Sequence, residues 1–274
     1  MLVVVAARDE ADRIAATLAG LAGAFPGAAV WVADDGSSDA TAAIARAAGA
    51  SVLDATAKAS RCRRAFGGKG QAMTLGVGAA VADVCSEKAC SKKADAARAY
   101  ARAHTHVTAD LEIDPEGPAE PVLVLCDGDL GRSASELGPL VDAVRVGEAD
   151  LAIAAFSTRQ GGGFGLALAF ARWAVRRRCG LSQRAPLSGQ RALRVGALEG
   201  LVPFAPGYGM EIGMTIDAVR AGHRVVEIEL ALSHRPTGRG PAGFVHRGRQ
   251  LADCIRVYVS RSHAGSHARQ HGTK

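Results

Sequence analysis

The chain has 274 residues, of which 48% are hydrophobic, and it carries 33 Lys and Arg against 27 Asp and Glu. That length and apolar content exclude a disordered chain and suit one large α/β domain or two small ones. The net charge of +6 fits an anionic substrate, a nucleic acid or an anionic membrane surface; the signatures of the common nucleic-acid-binding folds are absent, so nucleic acid is not expected as a partner.

In chain order, "LVVVAA" (2–7) reads as a buried strand. The next stretch, "DEADRIAATLAGLAGAF", spaces Ile14, Leu18, Leu21 and Phe25 as a helix does. A second strand (28–33) runs into "DDGSSD", with a helix from about residue 39 and Ser37, Ser38 and Asp39 as its N-cap candidates. "SVLDA" is a third short strand. A basic Gly-rich loop ending in "GGKG" (67–70) then opens an Ala-rich helical stretch. The separation from Gly70 to Asp127 is long for one helix and one loop, so an insertion is expected near residues 84–120. "VLVLCDGDL" (122–130) is a strand, "SELGPLVDAVRVG" a helix and "ADLAIAAF" a strand. A glycine hinge leads into the apolar helix "GLALAFARWAV", which ends in "RRR". "APLSGQRALRVGALEGL" reads as a loop and then a helix, "GMEIGMTIDAVRAGH" as a helix and "RVVEIEL" as a strand. Strands alternating with helices imply right-handed βαβ units and a parallel sheet. No internal repeat or clean linker appears, so residues 1–262 are expected to form one domain, with 263–274 a polar, frayed tail.

The six cysteines (Cys62, Cys85, Cys90, Cys126, Cys179 and Cys254) form no CxxC pair, and Cys126 lies inside an apolar strand. A reduced, cytosolic protein is the simple reading. Cys85 and Cys90 could approach one another on a helix, which leaves a disulfide or metal pair as the lesser reading. "MLVVVAA" lacks the basic flank of a signal peptide, and no stretch reaches the ~20 apolar residues of a membrane span.

The chemistry gathers at strand ends. Ligands of open α/β sheets sit outside the carboxyl ends of the strands. Asp127 and Asp129 occupy such an end, where residues two apart on an extended tip face the same way. Two like charges there repel unless a cation intervenes, and a hard divalent ion with oxygen ligands, Mg²⁺ or Mn²⁺, would serve. An Asx turn is the bland alternative. "AARDE" (6–10) and "VADDGSSD" (32–39) are two more acidic tips, and Lys69 in "GGKG" suits phosphate contact on a flexible loop.

Together and in this order, these segments resemble the GT-A fold glycosyltransferases of family 2. "LVPFAPGYGMEIGMTIDA" (201–218) and "PLSGQRALR" (186–194) resemble segments of glucosyl-3-phosphoglycerate synthases more closely. The resemblance covers most of the chain outside the expected insertion. It implies a Rossmann-like, mostly parallel sheet with helices on both faces, and a divalent metal, Mn²⁺ or Mg²⁺. Asp127, Asp129 (usually the direct ligand) and His234 of "LSHRPTGR" would hold that metal. The first two tips, with Ala6, Arg8, Glu10, Asp35 and Gly36, would hold the nucleoside. Asp127, Gly128, Arg235 and Arg239 would serve the diphosphate. Lys69 would contact phosphate or acceptor, and Gly189 would admit the backbone close to the sugar. Glu211 would lie by the transferred sugar or the acceptor hydroxyl, as general base in an inverting enzyme or as a positioning group in a retaining one. Each has an ordinary alternative: a surface histidine for His234, a solvated loop lysine for Lys69, a favourable helix-start acid for Glu211.

The pattern also departs from the family's. The Arg and Thr that meet phosphoglycerate in a "GGRVTE"-like segment are missing from "QGGGFGLALAF" (160–170), and Asp9 stands where relatives have Asn. The apolar helix with a basic end fits either a membrane surface, as in family members that glycosylate polyprenyl phosphates, or a core helix with a solvated end.

The activity expected is metal-dependent transfer of a hexose from a nucleoside diphosphate sugar, a UDP-sugar favoured, to an unidentified acceptor hydroxyl or phosphate. A phosphoglycerate-specific or polyprenyl-phosphate-specific enzyme is a narrower version of it. A nucleotidyltransferase and a sugar-nucleotide-binding protein without turnover are the rivals. A homodimer and a peripheral contact at the inner face of the membrane are further partner readings.

Overall fold

Alternating apolar residues on the central strands face opposite sides of the sheet, and each set recruits its own helices. In β1 (Leu2–Ala7), Val3 and Val5 join one buried cluster while Leu2 and Val4 join another. In β4 (Val122–Asp127), Val124 and Cys126 face one way and Leu123 and Leu125 the other. Two-sided burial of this kind marks the interior strands of an α/β sheet. A computed structural model of the chain describes residues 1–56, 68–87, 120–157, 165–233 and 241–262, and their side chains except those of 84–87 and 241–246.

Seven strands form a single sheet in the order β3-β2-β1-β4-β6-β5-β7. The other strands are β2 (Ala29–Asp34), β3 (Ser51–Asp54), β5 (Leu151–Phe156), β6 (Arg191–Arg194) and β7 (Val225–Leu230). All pairings are parallel except those of β6, which runs antiparallel between β4 and β5. One face carries α1 (Ile14–Ala24), α2 (Thr41–Ala47), a 3-10 segment (Gly131–Leu137) and α4 (Gly138–Arg145). The opposite face carries α3 (Lys69–Glu87) and α6 (Met210–Arg220). Outside α6, a third cluster joins it to α5 (Leu166–Cys179) and α7 (Pro241–Ser260) through Ala171, Val175, Ile212, Ile216, Cys254 and Val257.

Small residues set the spacing, as the Ala- and Gly-rich composition predicts. A Cβ on Gly76 of α3 would come within 2.9 Å of both Ala33 and Val4, so this helix lies directly on β1 and β2. A Cβ on Gly70 would collide with the Ala205 carbonyl oxygen, which binds the start of α3 to the loop before α6.

The structure differs from the sequence reading in four places. Residues 191–194, read as helical, form β6: both its faces are covered, and slotting between β4 and β5 overrides the helix preference of Ala, Leu and Arg. The helix α7 was not anticipated, although Pro241 at its first position is a start signal. Lys69 opens α3 and is not part of a flexible loop. The helix after "DDGSSD" begins at Thr41 with Ala40 as cap; Asp39 instead accepts the Thr41 amide at 2.9 Å. The expected insertion falls mostly, and the frayed tail wholly, outside the described residues, as do Cys62 and Cys90.

A buried carboxylate, Asp150, holds the far end of β5. It accepts from the Arg224 amide at 2.7 Å, from Arg224 Nη2 at 3.3 Å and from Arg194 Nη2 at 2.5 Å. Burial pushes its pKa up, but these bonds outweigh burial and hold the carboxyl below the usual range. A depressed folded pKa contributes stability above the unfolded value of about 3.9, and that contribution disappears as pH falls through the folded value. Asp150→Asn is therefore expected to lower urea-unfolding stability by roughly 2 kcal/mol near neutral pH, with the gap to the native chain closing below about pH 4.

Candidate functional site

Three parallel strands end together. Across the sheet Ala6 is in register with Asp127, and Ala7 with Asp34. Because β6 runs the other way, the residues before it, Gly189 and Gln190, return to the same edge beside the tip of β4. Every cluster described below lies at this edge.

Its centre is a buried cation between two acids. Lys69 Nζ lies 2.6 Å from Asp127 Oδ1 and 2.7 Å from Glu211 Oε1. The Glu211 side chain is 4% exposed, and it belongs to the first turn of α6. Burial opposes the ammonium, yet the two carboxylates outweigh it and hold the Lys69 pKa well above its ordinary value. Lys69 is thus a permanent cation and not a base. The other Asp127 oxygen, Oδ2, accepts from Gln190 Nε2 at 2.9 Å. A Cβ on Gly189 would lie 2.5 Å from Lys69 Nζ and 2.6 Å from Asp127 Oδ2, so only glycine fits there. The cation required beside Asp127 is therefore supplied by the chain itself, with both carboxylate oxygens occupied.

Asp129 is placed differently from the sequence expectation of one extended tip. The strand ends at Asp127, and Gly128 and Asp129 form a turn. The turn is pinned by bonds from the Gly128 amide to the Ala6 carbonyl (2.8 Å), from Thr17 Oγ1 to the Gly128 carbonyl (2.7 Å) and from Arg13 Nη1 to the Asp129 carbonyl (2.7 Å). A Cβ on Gly128 would press on Ala7 and the Ala6 carbonyl. Farther along the same segment, Ser133 Oγ accepts from the Ser233 amide at 3.0 Å, so the residue before His234 is tied to the segment that follows Asp129. His234, Arg235 and Arg239 lie outside the described residues. Among the described residues no group of three His, Cys, Asp or Glu side chains could hold a metal ion.

The two other tips lock together. Asp9 has a left-handed backbone (φ 54°) and accepts from the Ser38 amide at 2.7 Å and the Ser38 hydroxyl at 3.0 Å. These bonds hold its carboxyl below the usual range. Asp39 accepts from the Ala11 amide, and Thr41 Oγ1 accepts from the Glu10 amide. Asp34 is buried and accepts from the Ser37 hydroxyl. Asp9 and Asp39 thus hold the first tip against "DDGSSD", and Asp34 holds Ser37 of its own loop. Asp35 is left facing Arg8, whose Nη1 is 3.7 Å away. Burial raises the Asp35 carboxyl, against the pull of Arg8 and of a bond from the Gly68 amide. That bond joins the Asp35 tip to the residue preceding Lys69. Gly36 sits at φ 76°, a value that favours glycine, and a Cβ there would press on Thr56.

Of the residues singled out from sequence, Lys69, Asp127, Gly189 and Glu211 converge in one cluster. Arg8, Asp35 and Gly36 adjoin it through Gly68, and Ala6 and Gly128 are joined by a backbone bond. The Glu10 backbone helps to join the two loops. Sequence reasoning missed Gln190 and Arg191. Arg191 is fully buried; its guanidinium donates to the carbonyls of Ser188 (2.9 Å) and Pro186 (3.3 Å) and to Thr215 Oγ1 (3.0 Å). Burial lowers its pKa to about 10, so it remains charged at neutral pH. It binds the Gly189 loop to α6, four residues beyond Glu211. Polar residues directly after the glycine were the available signal, hidden by the helical reading of that stretch.

Replacing Lys69 by Met leaves two carboxylates facing each other without their cation. Lys69→Met is expected to cost roughly 3 kcal/mol of unfolding free energy. Adding Glu211→Gln should recover part of that loss, a coupling that urea titration of the four proteins in the cycle would measure.

Residues 2–86 match the model of the family described as glycosyl transferase family 2. No curated protein sequence matches the chain. Among solved structures, it is similar to glucosyl-3-phosphoglycerate synthase from Mycobacterium tuberculosis. The complex with Mn²⁺, UDP-glucose and phosphoglyceric acid is 24% identical with a TM-score of 0.64, over 95% of this chain and 78% of that one. The complex with Mn²⁺, UDP and phosphoglyceric acid gives 24% and 0.65 over 95% and 77%, and that with Mg²⁺ and UDP gives 24% and 0.63 over 95% and 78%. The chain has the fold of those synthases, with the family 2 glycosyltransferase match confined to residues 2–86.

Proposed function

We propose that the protein is a glycosyltransferase moving a hexose from a UDP-sugar to an acceptor hydroxyl or phosphate, with residues 1–262 acting as one domain. The observation that carries this reading is the Lys69–Asp127–Glu211 cluster beneath Gly189. The structures that share this fold hold UDP or UDP-glucose with Mn²⁺ or Mg²⁺, which supports the donor and the metal.

Asp35, Arg8 and Gly36 take the nucleoside, with Glu10 and Ala6 completing that end. Arg235 and Arg239 are the cations for the diphosphate, since guanidinium groups suit phosphate forks. Gly189 admits the sugar to the backbone. Lys69 is held charged and cannot accept a proton; it orients Asp127 and Glu211 and faces the departing phosphate or the acceptor with positive charge. Glu211 is the buried carboxylate beside the sugar, as base toward the acceptor hydroxyl or as a positioning group.

Asp127, Asp129 and His234 are the residues that would hold the divalent ion. Both Asp127 oxygens also accept bonds, from Lys69 and Gln190, which fix the orientation of that carboxylate. Ser233, the residue before His234, is bonded to Ser133, four residues after Asp129. When bound, Mn²⁺ or Mg²⁺ would neutralise charge on the diphosphate.

Phosphoglyceric acid is bound by the synthases of this fold. The missing Arg and Thr in "QGGGFGLALAF" argue for a different acceptor here, and residues 158–164 of that region lie outside the described residues. Cys126, Cys179 and Cys254 are free thiols, which supports a reducing, cytoplasmic setting. Among the described residues no helix is long and apolar enough to cross a membrane.

Melting curves with UDP-, GDP- and ADP-sugars, each with and without Mn²⁺, test the reading, because a ligand of the folded state raises the melting temperature. A metal-dependent rise is expected for one UDP-sugar, and Asp129→Ala should abolish its metal-dependent part. Glu211→Gln should retain the rise while turnover falls by about 10²–10⁴. Pyrophosphate release would instead identify a nucleotidyltransferase, and a rise without product across many acceptors a binding protein.

A further inference from the structure

Helices α5 and α7 pack against each other and leave an apolar strip facing outward. α5 buries Ala167, Ala171, Ala174 and Val175, while Leu166 is 66% exposed and Trp173 50%. Leu166 and Trp173 are seven residues apart, hence on one helical face, with Arg177 a turn beyond. On α7, Ile255 and Val259, one turn apart, are 42% and 55% exposed. The rings of Trp173 and Tyr258 are 4.8 Å apart, and Phe170 touches both, which joins the two strips into one patch.

The two helices are also basic: α5 carries Arg172, Arg176, Arg177 and Arg178, and α7 carries Arg247, Arg249 and Arg256 against one acid, Asp253. From Leu151 to Leu198 the sequence has eight arginines and no acidic residue. From His234 to Lys274 it has seven arginines and one lysine against a single acid, Asp253. That leaves 17 of the 33 Lys and Arg, and 26 of the 27 Asp and Glu, to the rest of the chain. The net charge of +6 is therefore the sum of two basic stretches of sequence, which include α5 and α7, and an acidic remainder. Arg176, Arg177 and Arg256 are exposed around the apolar strip.

Three occupants could cover such a face. A second copy related by a two-fold axis would set arginine against arginine, and like charges in an interface are costly. A nucleic acid would meet the arginines and leave Leu166, Ile255 and Val259 uncovered. A bilayer with anionic headgroups satisfies both: Trp and aliphatic side chains enter the headgroup boundary while guanidinium groups meet phosphates. We propose that the α5–α7 face is a docking surface for an anionic bilayer. The face is separate from the Lys69 cluster, so the inference stands apart from the reaction proposed above.

The test is co-sedimentation of the full chain with phosphatidylcholine vesicles and with the same vesicles doped with phosphatidylglycerol. Binding only to the doped vesicles, weakening with salt, is expected. Arg176→Gln with Arg177→Gln should bind about thirtyfold more weakly. In a Trp31→Phe background, Trp173 emission should shift to the blue on the doped vesicles. Unchanged melting temperatures would show that the variants fold. The proposal is overturned by absent vesicle binding, by equal binding of the arginine variant, or by retention on heparin with no vesicle binding. A concentration-dependent dimer that Trp173→Ser dissolves, without vesicle binding, would assign the face to a second copy.

Discussion

The burial of one lysine between two carboxylates is the constraint on which the rest of the site depends. Lys69, Asp127 and Glu211 come from the start of α3, the tip of β4 and the first turn of α6. Glu211 is buried while Lys69 and Asp127 are half-buried, and a buried charge such as that of Glu211 costs several kcal/mol without its partner. Their mutual neutralisation fixes the relative position of three elements from separate parts of the chain. The small residues around them are then obligatory. Gly70 must let α3 reach the Ala205 carbonyl, and Gly189 must let its loop cross directly over the ion pair.

Around that centre the polar residues divide by task. Asp9 accepts from Ser38 across the two loops, Asp39 from Ala11 across them and from Thr41 beside it, and Asp34 from Ser37 of its own loop. They make a rigid rim along this edge of the sheet. Thr17 and Arg13 of the first helical region do the same for the turn after β4. Arg191 secures the Gly189 loop to α6 from below through the carbonyls of Ser188 and Pro186 and the Thr215 hydroxyl. Asp35 and Arg8 pair at the same edge, where Asp129 is half-buried.

Away from the cleft, α5 and α7 serve two purposes at once. Their inner faces complete the packing on α6, and Asp253 of α7 accepts the Tyr208 amide in the turn that leads to Glu211. Their outer faces carry exposed Arg176 and Arg177, Arg256 paired with Asp253, and exposed Trp173, Ile255 and Val259. The structural role explains the inner residues fully and the outer ones not at all.

The sequence by itself determined the alternating α/β order, the strand tips at Asp34 and Asp127, and the helices that begin near Ile14 and Met210, because these follow from apolar periodicity over single segments. It also marked Lys69, Gly189 and Glu211 through segments whose resemblance is local. Only the tertiary structure decided that residues 191–194 are a strand, since that depends on two neighbours that arrive from distant parts of the chain. It likewise decided that the cation beside Asp127 is Lys69, and that Asp129 turns away from the strand's line. Pairing of Lys69 with Asp127 and Glu211, 58 and 142 positions away, is a matter of three-dimensional closure, and no local pattern of residues encodes where a chain returns to itself.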